Sequence, residues 1–148
     1  MRTRHFLALL LFALSLALPA CGHGMPPDEA IANLKNPDVE VRRHAADSLR
    51  TKEGVPPNAV APLLDSYKTE QNPQVRGAIL ITLGKSGAPD AKPLIDQAVQ
   101  TAPDKDNRRW AARALKYWMI QTGKLPADYT FPKDWPYGQP GYPAPLPE

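Results

Sequence analysis

Few side chains in this chain could do chemistry. There are three histidines, His5, His23 and His44, and a single cysteine, Cys21. A thiol can serve as nucleophile, metal ligand, half of a disulfide or acyl acceptor, and the first three roles need partner groups at defined positions. One cysteine cannot close an internal disulfide, form a CxxC pair or complete a four-ligand zinc site. His44 has no second ligand or nucleophile at a useful spacing, so it reads as a surface or boundary residue. The carboxylates Asp28, Glu29, Asp38, Glu40, Asp104 and Asp106 stand where helices are expected to begin, and the helix dipole already accounts for them. The residues provide no paired general acid and base. The expectation is a protein that is not an enzyme, that holds no metal or cofactor, and that acts by binding.

The remaining use of the thiol comes from its position. Arg2 and Arg4 precede an apolar run from Phe6 to Leu18, interrupted only by Ser15. Such a run is too short to cross a bilayer, which takes roughly 20 apolar residues, but it fits the apolar region of an export signal, about 7 to 15 residues long. The next four residues, Leu18-Pro19-Ala20-Cys21, resemble the lipobox of bacterial lipoproteins. The resemblance implies that residues 1–20 are removed, that Cys21 becomes the first residue and that its thiol carries a diacylglycerol. It also implies that Gly22, where an Asp would favour inner-membrane retention, directs the protein to an outer membrane if the cell has one. Removing Arg2 and Arg4 from the 18 basic residues leaves 16 against 15 acidic ones, a net charge of about +1. A nearly neutral exported chain lacks the basic excess of a nucleic-acid binder.

The elements that must position everything else emerge from register. Val41 to Leu49, Val75 to Leu83 and Asn107 to Leu115 align on Arg42, Arg76 and Arg108, spaced 34 and 32 residues apart. Equivalent offsets carry Ala45, Ile79 and Ala111, then Ala46, Leu80 and Ala112, then Leu49, Leu83 and Leu115, which form one helical stripe. Four residues before each arginine stands Asp38, Asn72 or Asp104, suited to accept hydrogen bonds from free amides at a helix start. Pro73 comes next at a first helical position. Gly54, Gly87 and Gly123, with Pro56, Pro57 and Pro89, mark expected helix ends. Further apolar patterns at Ala30, Ile31 and Leu34, at Val60, Leu63 and Leu64, and at Leu94, Ile95, Ala98 and Val99 supply the first helix of each pair. Pro62 and Pro93 fall near the starts of theirs. The spacing predicts three helix pairs over residues 26–52, 57–86 and 89–122.

On Asp38-Val-Glu-Val-Arg42, Asn72-Pro-Gln-Val-Arg76 and Asp104-Lys-Asp-Asn-Arg108 the pattern resembles HEAT-like repeats, in the short bacterial form of the phycobilisome lyases. The resemblance implies an all-α fold: a short right-handed α-solenoid of about three helix pairs, with second helices lining a concave surface that receives a partner. In such families the ladder of Asp38, Arg42, Asn72, Arg76, Asp104 and Arg108 is structural. Here the i,i+4 spacing lets each arginine bond the polar residue one turn before it and buttress the stack. A stacked array buries both sides of its inner repeat, and the middle helix, with Ile79, Leu80, Ile81 and Leu83, is accordingly the most apolar.

Register also selects a candidate partner-binding face on the second helices: Arg43, Ile81, Arg109, Arg113, Lys116 and Tyr117. Gly77 falls on the same face, in register with Arg43 and Arg109. Arginine and tyrosine beside an apolar isoleucine suit an acidic or amphipathic peptide. The plainer reading is a solvated charged face. Trp110 and Trp118 are candidates for sealing the last repeat. From Lys124 onward the composition changes, with 7 of the 18 prolines and 5 of the 11 aromatic residues in 25 positions. That segment cannot be a helix or a central strand. Tyr129 to Tyr137 is expected to cover the last pair, and Gly138 to Glu148 to form an extended polyproline-type tail that could enter a proline-binding groove.

The expected organisation is therefore a signal peptide over 1–20, a lipidated anchor and linker over 21–27, a HEAT-like domain over 28–123 and an irregular Pro/aromatic-rich tail over 124–148. The function expected is a membrane-anchored interaction module of the bacterial cell envelope, with a protein or peptide partner, a membrane contact through the lipid and no nucleic acid. The alternatives are an enzyme accessory or lyase-like subunit, and a structural envelope protein that makes its contacts through the tail. The sequence leaves the oligomeric state open.

Overall fold

The computed structural model describes residues 24–131, and all of their regular structure is helical. The expectations for residues 1–23, Cys21 among them, and for residues beyond 131 lie outside the described residues. Six helices run in three antiparallel pairs: α1 (Pro27–Asn33) with α2 (Val39–Ser48), α3 (Val60–Thr69) with α4 (Pro73–Ser86), and α5 (Lys92–Thr101) with α6 (Lys105–Gln121).

Each second helix starts as its sequence dictates. The Asp38 carboxylate accepts from the amides of Glu40 and Val41, the Asn72 side chain from those of Gln74 and Val75, and Asp104 from that of Asn107. These are donors with no intrahelical partner. Two of the first helices start differently. Short 3-10 turns, Pro57–Ala59 and Pro89–Ala91, lead directly into α3 and α5 and place Pro62 and Pro93 in first turns, where the missing amide costs little.

The helix ends are less uniform than the glycine spacing predicts. Gly87 ends α4 in a left-handed conformation. At the end of α6 the Gly123 amide donates to Ile120 O and the Lys124 amide to Met119 O, a Schellman arrangement that turns the chain back on itself. Gly54 does not cap α2. That helix ends at Leu49, and Gly54 closes a separate turn through a bridge to Thr51.

The second helices α2, α4 and α6 pack on one another in one layer, with each first helix against its own partner. Helix α4 is buried along most of its length, and an element apolar on nearly all sides belongs at the centre of a stack. Leu49, Leu63, Val75, Ile79, Leu83 and Ile95 are fully buried. The third copy departs from the expected register. Ala111 is fully buried like Ala45 and Ile79, but Leu115 and Ala112 are only half-buried, and Ala114 and Trp118 take the inner places. The reason lies in the stack: among the described residues no further helix pair covers that side of α6. A strap over 122–131 covers part of it, burying Leu125 and bringing Tyr129 against the core, so packing continues past Gly123.

Candidate interaction surface

Arg42 and Arg76 do not hydrogen-bond the polar residue one turn before them, and all three repeated arginines share another acceptor. Each sends a guanidinium nitrogen to the backbone carbonyl six residues before it: Arg42 to Asn36 O at 2.8 Å, Arg76 to Glu70 O at 3.0 Å and Arg108 to Ala102 O at 3.3 Å. These carbonyls lie in the turn between the two helices of each repeat, so the arginine ties that turn shut. For Arg42 and Arg76 this corrects the expected hydrogen bond to Asp38 or Asn72, each of which accepts two helix amides through its Oδ1. A long guanidinium reaches a carbonyl that has no helical donor, and a charge-assisted bond there is worth more than one to an already satisfied cap.

Arg42 goes further. Its Nε and second nitrogen grip the Glu70 carboxylate of the next repeat at 2.7 and 3.1 Å, with the two side chains 17% and 7% exposed. Burial pushes the Glu70 carboxyl up, but Arg42 and the amides of Asn72 and Gln71 outweigh it and hold the group below its ordinary range. The residue equivalent to Glu70 in the third repeat is Ala102. Arg76 therefore has no carboxylate across the second junction among the described residues, and it stacks instead on the Tyr67 ring, 4.1 Å from the ring centre.

The six residues expected to bind a partner separate into two groups. Arg43 is held by Glu40 at 2.8 Å and Asp47 at 3.2 Å, and Asp47 also pairs with Arg50 at 2.6 Å. Arg43 and Ile81 line a depression of about 480 Å³ with Gly77, Ala78 and Trp110. Its charges are internally neutralised, so this part of the face presents a shape and an apolar floor.

The second group lies toward the ends of α4 and α6. Lys85 Nζ sits 4.9 Å and Lys116 Nζ 5.3 Å from the centre of the Tyr117 ring. The Arg113 guanidinium, and after it Lys85 and Lys116, hold the Tyr117 phenol below its ordinary range despite partial burial. No carboxylate of the described residues pairs with Lys85, Arg113 or Lys116. Arg109 is exposed, 3.8 Å from Asp106. Lys85 stands in the last turn of α4, where a cation complements the dipole, and with Arg113 and Lys116 it makes a positive patch around one aromatic ring that no described carboxylate neutralises.

Sequence reasoning missed several residues that shape this surface. Gly77 is on the face its register predicts but is not open there: it is buried beneath the Trp110 ring at the edge of the depression, and a Cβ would meet that ring. A Cβ on Gly84 would collide with the Ala114 carbonyl, so α4 and α6 touch backbone to backbone. The Gly77 and Gly84 spacing of one heptad was the available signal. Trp110 is half-buried, while Trp118 is buried and donates its indole N–H to Ala88 O at 2.9 Å. Beside Trp110 a cleft of about 360 Å³ opens between the second and third repeats, with Tyr67, Arg76, Leu80, Ala98 and Asn107 in its walls.

A family model for HEAT repeats matches residues 27–116, from the start of the first helix pair into the second helix of the third. The chain belongs to the HEAT-repeat family. No curated protein and no solved structure matches it. HEAT repeats generally mediate protein–protein interaction. In this HEAT array the second-helix layer carries two different surfaces, one neutral and contoured, the other cationic and aromatic. Among the described residues no helix is long and apolar enough to cross a membrane, and no three His, Cys, Asp or Glu side chains converge as a metal site.

Proposed function

We propose that this protein is an exported lipoprotein whose HEAT domain works as a scaffold of the bacterial cell envelope, capturing a partner protein along α2, α4 and α6. The observation that carries the reading is the cluster of Lys85, Arg113 and Lys116 around Tyr117, unpaired by any described carboxylate, next to the apolar depression at Ile81 and Trp110. A surface of that kind favours a partner segment with acidic residues flanking an apolar anchor, since the rim charge steers approach and the desolvated aromatic centre supplies affinity.

The anchor rests on Cys21 and the export signal before it. The Met25 amide donates to Ser48 Oγ at 3.2 Å, which fixes the start of the domain to α2. Only three residues then lie between Cys21 and a fixed point, about 14 Å over four extended steps, so the domain would sit against the headgroups. The lyase-like alternative has less to support it, because the face lacks a nucleophile and the chain's only cysteine lies directly after the export signal.

The test is crosslinking in intact cells with identification of the captured protein. Arg109→Glu with Arg113→Glu is expected to reduce capture by an order of magnitude or more while the circular dichroism spectrum keeps its helical signature. Capture unaffected by the reversals but lost on removal of residues 132–148 would transfer the role to the tail. For the anchor, Cys21→Ser is expected to leave an unprocessed precursor, and unchanged processing would end the lipoprotein reading.

A further inference from the structure

The cleft at the second junction has a composition that the partner reading does not use. Its walls are the Tyr67 ring, backed by the Arg76 guanidinium, and the half-buried Trp110; its floor is Leu80 and Ala98, both more than nine-tenths buried, with Gly77 beneath Trp110. Ala102 stands there in place of the carboxylate that Arg42 grips at the first junction. Glu70, Gln71, Asp104 and Asn107 add polar groups to the lining, and two flat rings over an apolar floor suit prolines. A polyproline segment has no internal hydrogen bonds to give up and loses little entropy on docking, and flat rings match its ridges.

The strap over 122–131 turns the chain back toward the groove. After the reversal at Gly123, Leu125 is buried and Phe131 lies 5.2 Å from Lys116 Nζ, so the strap runs back along α6. Trp110 and Tyr117 are seven residues apart on one face of α6, about 10 Å along the helix axis. Residues 132–148 hold six prolines with Trp135, Tyr137 and Tyr142, and at about 3.1 Å per residue they span roughly 50 Å in polyproline form. Asp134, three residues past Phe131, falls within chain reach of the Arg113 and Lys85 cations. A short tether gives an effective concentration in the millimolar range, so even a weak intrinsic affinity fills the cleft.

The geometry points to the Tyr67–Trp110 cleft as a binding site for this chain's own Pro/aromatic segment, residues 132–148, docked within the same molecule. The inference is independent of the envelope partner, and it makes the tail a competitor for the part of the face that Trp110 shares.

The test uses the full-length chain with Cys21→Ser, carrying Thr101→Cys at the exposed rim of the cleft and Ala144→Cys in the tail. Disulfide formation is monitored in dilute solution. Docking predicts rapid intramolecular closure that slows about tenfold when Trp135, Tyr137, Pro140, Pro143 and Pro145 are all replaced by Ser, since the tether length is then unchanged and only the affinity is lost. The core is untouched by those replacements. Equal rates in the two chains would overturn the proposal, because the tail would then reach Thr101→Cys by diffusion alone. Disulfides forming between molecules would overturn it in favour of a second copy as occupant. Slow closure in both chains, with a synthetic proline-rich peptide of unrelated sequence quenching tryptophan emission, would overturn it in favour of a foreign ligand.

Discussion

The two junctions of this short solenoid join similar helix pairs by different chemistry. The first is polar: Arg42 grips Glu70, and the Thr82 hydroxyl lies 2.8 Å from Ala46 O, a carbonyl in the last turn of α2 that lacks a helical donor, while accepting from Arg50 at 3.0 Å. The second is steric: Gly77 and Gly84 let α6 lie against the α4 backbone, with Trp110 over one glycine and the Ala114 carbonyl against the other. The divergence begins with Glu70 against Ala102 and with glycine against side chain on facing helices. Repeats can therefore share the staple inside each unit, the arginine to carbonyl bond six residues back, while the joints between units differ. A polar joint depends on pH and direction; a backbone contact does not, but it has no room for a methyl group.

The sharpest way to break this contrast is Gly84→Ala. Its Cβ must displace the Ala114 carbonyl, and separating α4 from α6 is expected to cost about 3 kcal/mol, as overpacked cores do. Thermal denaturation should show a large drop in midpoint, and a midpoint within a degree or two of the parent would mean that the second junction is not sterically set. Arg42→Ala at the first junction comes next, at about 2 to 3 kcal/mol, because it leaves the Glu70 carboxylate buried without its counter-ion. Urea titration reads this loss, and Glu70→Gln in the same background should restore part of it by removing the stranded charge.

Thr82→Val keeps the shape and removes the hydroxyl, so Ala46 O and the Arg50 guanidinium lose a partner; a cost of about 1 to 2 kcal/mol is expected in the same titration. The smallest effect is that of acid. Glu70 has a folded pKa below its ordinary value of 4.5, so folding favours its ionised form. Its contribution is complete above pH 4.5 and is lost as pH falls through the folded value. The parent should lose more stability than Glu70→Gln between about pH 6 and pH 3, and parallel profiles for the two would remove the polar joint from the comparison.

Much of the architecture was legible beforehand, and for local reasons. Asp38, Asn72 and Asp104 cap helices because a side chain of that type at that place meets free amides whatever else surrounds it. The apolar stripe through Ala45, Ile79 and Ala111 had to face inward. Leu115 escaped the same reasoning because its burial depends on whether another helix pair stacks against α6, a matter of stack position rather than residue type. The surface was legible only as a set of residues without partners. Arg43 and Arg113 fell on the same expected face, yet Glu40 and Asp47 neutralise the first, while the second stands with Lys85 and Lys116, drawn from two helices, around Tyr117.

Taken alone, the order of residues determined that there are helices, where they begin, how they pair and that three copies recur, since each of these arises from interactions within one turn or one periodic stripe. Tertiary structure alone decided which arginine meets a carboxylate, that two glycines are contact surfaces rather than gaps, and that a cleft opens beside Trp110. Those outcomes depend on distances between segments some 30 residues apart, and such distances are set by how closely neighbouring helices can approach.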